Sequence, residues 1–97
     1  MSRKVENIID YLENPPVVGR IESLDADRVE FDTDKLKEMI SALSKKDLVE
    51  LTGKVETVCT YWSALRVAPG NDIGTIARYQ ETKLMIEQKF QGAQNEE

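Results

Sequence analysis

The chain has 97 residues and a net charge of −5, with 40% apolar and 32% charged side chains, which describes one small domain with a charge-rich surface. One cysteine and no histidine exclude an intramolecular disulfide and His-based triad chemistry, and argue against a structural zinc site. No apolar run approaches the roughly 18 residues of a membrane span, and acids break up the stretch after the basic start, unlike a signal peptide. A cytoplasmic protein is expected.

Ser2 is placed to cap a first helix over about Arg3 to Glu13, in which Val5, Ile8, Ile9 and Leu12 form one amphipathic stripe. Asn14-Pro15-Pro16 ends it, because a residue before proline is pushed out of the α region. From Val17 to Asp32 the period changes to two. Short strands on either side of Leu24-Asp25-Ala26-Asp27 predict a β-hairpin with Ile21, Val29 and Phe31 on its buried face. A lone two-stranded ribbon is marginal in water, so it is expected to lie on the helices or to pair with another chain.

Asp32 or Thr33 then caps a short helix, DKLKEMISAL, with Leu36, Met39, Ile40 and Leu43 inward. Ser44-x-x-Asp47 has the form of a capping box and opens the longest helix. Its apolar residues Leu48, Leu51, Val55, Val58, Trp62 and Leu65 step by three and four along one face, a heptad seam. The stretch holds many β-formers, and Gly53 costs a helix about 1 kcal/mol relative to Ala. A strand pair there is the competing reading, but alternation gives it no clean apolar face. Ala68-Pro69-Gly70 closes the helix.

Asn71 or Asp72 is expected to cap a last helix, IGTIARYQETKLMIEQKFQ, whose apolar residues Ile73, Ile76, Ala77, Tyr79, Leu84, Ile86 and Phe90 spread widely around it. Residues 92–97 read as a disordered tail on a single domain spanning 1–91. The short connection makes the last two helices an antiparallel hairpin. The fold class is therefore α+β and mainly helical: N-terminal helix, β-hairpin, short helix, then a long antiparallel helical hairpin.

Three constellations bear on function. The acidic run Glu22, Asp25, Asp27, Glu30, Asp32 and Asp34 starts like a calcium loop, but Val29, Glu30 and Leu36 stand at the positions that should hold an oxygen ligand, glycine and glutamate. It reads as turns and caps, or as an acidic surface that meets a basic partner. Gly70 to Gly74 precedes a helix start but lacks the phosphate-loop pattern. The second half of the long helix is the anomaly, because from Thr57 to Ala68 the only charge is Arg66. Such a helix is either covered on several sides within the monomer or forms an association surface.

No spacing converges an acid, a base or a nucleophile, and Cys59 reads as a small buried hydrophobe, so no catalytic residue, metal or cofactor is assigned. Residues 1–43 carry 6 basic and 10 acidic side chains, and residues 44–97 carry 7 and 8. Neither half offers the basic face that direct nucleic-acid binding requires. The expected function is a non-enzymatic interaction module, a homo-oligomer joined through Val58, Tyr61, Trp62, Leu65, Arg66 and Tyr79. The alternative is a small acidic inhibitor whose Glu22, Asp25, Asp27 and Glu30 occupy a basic groove of a nucleic-acid-binding protein.

Overall fold

In the computed structural model, which describes residues 2–65 and 74–95 and side chains as far as residue 90, the Ser2 hydroxyl accepts from the Val5 amide at 3.2 Å. Helix α1 then runs Arg3–Glu13 and buries Val5, Ile8 and Leu12. Strands β1 (Val17–Ile21) and β2 (Ala26–Val29) form the antiparallel hairpin. Three helices follow: α2 (Thr33–Ser41), α3 (Lys45–Leu65) and α4 (Thr75–Asn95). The chain is thus α+β and mainly helical, in the element order read from the sequence. No helix among the described residues is long and apolar enough to cross a membrane.

The caps hold where side chains allow them. The Asp32 carboxylate accepts from the Asp34 amide at 2.9 Å and starts α2. The Ser44 hydroxyl accepts from the Asp47 amide at 3.2 Å and starts α3. The competing strand pair in residues 48–62 is not formed; α3 is one continuous helix of 21 residues. The expected caps Asn71 and Asp72 lie outside the described residues. Helix α4 is assigned as far as Asn95.

Thr52 and Val55 share a small cleft with Ile86 and Phe90, whereas Cys59 lies near Tyr79 and Lys83. Early residues of α3 therefore meet late residues of α4, and the pair is antiparallel. Helices α1 and α2 cover one side of it, so that Val5, Ile8, Leu12, Leu36, Ile40, Leu43, Leu48, Leu51, Val55, Tyr79 and Ile86 close into one core. Each fully buried leucine contributes about 2–3 kcal/mol relative to an exposed one. Lys4 donates to the Ala42 carbonyl at 3.2 Å and Lys89 to the Ile40 carbonyl at 2.9 Å. Two cations thus satisfy carbonyls at the C-terminal end of α2, where the helix dipole favours positive charge.

The ribbon differs from expectation in register. Its turn is a short 3-10 segment, Glu22–Leu24, closed by Asp25 in the left-handed conformation (φ 48°). Ala26 and Asp27 therefore belong to β2, not to the turn. Cross-strand partners share a face, and Ile21 pairs with Ala26 while Arg20 pairs with Asp27. Ile21 and Val29 consequently point to opposite faces instead of sharing one buried face. Both are half-buried, and β1 is otherwise exposed along its length. What ties the ribbon down is its exit: Phe31 stacks on Tyr11 with ring centroids 5.0 Å apart, and the Tyr11 hydroxyl accepts from the Asp32 amide at 2.8 Å.

Candidate association surface

The seam of α3 is buried only over its first half. Leu48, Leu51 and Val55 are in the core, Val58 and Trp62 are half-buried, and Leu65 is 58% exposed. The cause is geometric. A straight α-helix drifts by about 20° per heptad against a seven-residue repeat, so the seam slides off the contact face unless the helices supercoil. By Leu65 it has reached the flank.

Among the described residues, the uncharged half of α3 is therefore not enclosed. Thr57, Thr60, Tyr61, Ser63, Ala64 and Leu65 are all exposed, with Tyr61 at 53%. Gly53, Glu56, Thr57, Thr60, Tyr61, Ala64 and Leu65 together line a shallow open groove. The Thr57 hydroxyl donates to the Gly53 carbonyl at 2.8 Å, so this polar atom is satisfied within the helix.

The interface candidates from the sequence divide into three groups. Tyr61 and Leu65 stand on this outer surface. Val58 packs against the core, Trp62 is half-buried, and Arg66 lies outside the described residues. Tyr79 is fully buried and so belongs to the monomer core rather than to an outer surface. Helix α4 likewise places Ile76 and Ile86 in the core and, of its large apolar residues with described side chains, leaves Leu84 exposed. Sequence reasoning missed Val49, which is 59% exposed in the first half of α3. The available signal was an apolar residue away from the seam in an otherwise charged half-helix.

Tyr79 is the neutral partner in a joint between α1 and α4. Its hydroxyl donates to a Glu13 carboxylate oxygen. Burial pushes its phenol far above the usual range, and the hydrogen bond to Glu13 and that residue's negative charge push in the same direction. An unfolded tyrosine ionises near pH 10, so above that pH the unfolded state holds fewer protons than the folded one. Stability is present below pH 10 and falls above it, by up to about 1.4 kcal/mol per pH unit from this group. Tyr79→Phe is expected to lower stability at pH 7 and to flatten the alkaline decline. Urea midpoints from pH 8 to 11 measure this, and parallel curves for the two proteins would refute it. Cys59, half-buried nearby, has its thiol pushed up by burial, partly offset by Lys83, so the reactive thiolate is disfavoured.

The acidic candidates are only partly free. Glu22, Asp25 and Glu30 are exposed and Asp27 is half-buried. Arg20 forms an ion pair with Asp25 and lies opposite Asp27 in the ribbon, while the Arg28 side chain crosses over Gly19. The Arg20–Asp25 pair thus neutralises part of the ribbon's charge. Among the described residues no three His, Cys, Asp or Glu side chains group as metal ligands. Comparison with family models, with curated proteins and with solved structures found no match to this chain.

Proposed function

We propose that the protein is a non-enzymatic interaction module that self-associates through the outer face of the C-terminal half of α3. One observation carries this reading. Residues 57–65 hold no charge, yet Thr57, Thr60, Tyr61, Ser63, Ala64 and Leu65 remain exposed in the monomer. A solvated helix face normally carries charges, whereas the buried centre of an interface is depleted in charge and enriched in aromatic residues. The internal ion pairing of the ribbon makes an acidic inhibitor the weaker of the two readings. A cytoplasmic setting goes with this proposal, since a lone thiol stays reduced there.

Light scattering on a sizing column, at low and at high salt, tests the proposal. A mass of two chains that persists at high salt is expected, because apolar contacts are not screened. A mass of one chain at every concentration and salt would remove the self-association reading.

A further inference from the structure

The ribbon contributes nothing to the core of the helices. None of residues 16–30 belongs to the buried cluster or to the half-buried side chains packed around it. Among the described elements, the strands make their main contacts with each other. Every residue of β1 except the half-buried Ile21 is exposed, and Ala26 is the one buried residue of the ribbon.

The flanks, by contrast, are anchored. Pro15 is buried at the entry. At the exit Phe31 packs against the core, stacks on Tyr11 of α1 and lies 5.4 Å from the Arg78 guanidinium of α4.

We infer that the segment from Pro16 to Glu30 opens and closes as a unit of its own. The helices and the Tyr11–Phe31–Arg78 latch stay folded while the two strands unpair. This device is independent of the self-association proposed above.

The balance of forces in the two parts differs. A two-stranded ribbon is marginal in water when nothing covers it. The Arg20–Asp25 pair is largely exposed, and such pairs hold weakly. The turn also needs Asp25 at φ 48°, a left-handed conformation that only glycine adopts without cost. Unpairing therefore exposes little apolar surface, which is the mark of a local opening. Releasing Phe31 is another matter. It would uncover Tyr11 and Arg78 and free Asp32, whose amide donates to the Tyr11 hydroxyl and whose carboxylate caps α2. The boundary of the opening unit accordingly falls between Glu30 and Phe31.

Native-state hydrogen exchange of the full chain, read by NMR over a series of low urea concentrations, tests this. The Glu30 amide, which donates to the Pro16 carbonyl at 2.8 Å and closes the ribbon, is the reporter. Its protection is expected to be about 100-fold below that of Leu51 and Val55 in α3, and nearly independent of urea. The Asp32 amide is expected to be at least tenfold better protected than Glu30. Phe31→Ala is expected to erase that difference. Glu30 matching Leu51 in protection and urea slope would overturn the separate unit. Asp32 matching Glu30 in the unaltered protein, or unchanged Asp32 protection in Phe31→Ala, would overturn the latch.

Discussion

Arg78→Met is expected to lower the unfolding free energy by about 3 kcal/mol, a large share of the 5–15 kcal/mol typical of a small domain. Arg78 is 6% exposed and joins three elements. Its Nε–H donates to the Leu12 carbonyl at 2.8 Å and its Nη2 to the Thr75 hydroxyl at 3.1 Å. Its guanidinium also lies 5.4 Å from the centre of the Phe31 ring. The residue therefore neutralises the C-terminal end of α1, locks the start of α4 and pins the exit of the ribbon.

Losing it leaves the Leu12 carbonyl buried without this donor, at a cost of about 1–3 kcal/mol. It also removes a desolvated cation–π contact worth up to about 2 kcal/mol. Methionine offsets part of this, since it brings no charge into the interior. Arg78→Lys is expected to recover little, because an ammonium lacks the planar fork that serves both oxygens. Urea denaturation with equal m-values measures the change, and a loss under about 1 kcal/mol for Met would refute the account.

This joint was not legible in the sequence, whereas much of the fold was. Helix α1 was readable because its signals agree: a serine cap, a stripe at Val5, Ile8 and Leu12, and a double proline stop. The same holds at Asp32 and Ser44, where side-chain chemistry fixes the helix start. Arg78 reads as one more surface charge, since only the tertiary fold brings α4 under the end of α1. The ribbon was legible as a hairpin but not in register. Asp25 adopts a left-handed conformation, which an aspartate tolerates, and this moved the turn by two residues and sent Ile21 and Val29 to opposite faces. Leu65 fits the seven-residue repeat in sequence, yet helix drift takes it out of the core. The uncharged stretch of α3 was visible from composition alone. Which of its residues face outward was not, because that depends on where α4 and α1 lie.

Tyr61→Glu is expected to weaken association by about 1,000-fold, or about 4 kcal/mol per dimer, because the twofold axis applies the change twice at about 2 kcal/mol for each central aromatic residue. Each introduced carboxylate would have to be buried in the uncharged surface formed by residues 57–65, which offers it no cation. The same substitution leaves the monomer nearly untouched. Tyr61 is 53% exposed, exposed substitutions usually change stability by less than about 0.5 kcal/mol, and glutamate is the better helix former. That contrast separates an interface from a core. If Tyr61 served the monomer, Tyr61→Glu would lower the urea midpoint at concentrations where the chain is already single. If it serves the pair, the midpoint under those conditions stays fixed while the dissociation constant from sedimentation or dilution rises. A midpoint loss without a change in dissociation would return Tyr61 to the monomer and withdraw it from the association surface.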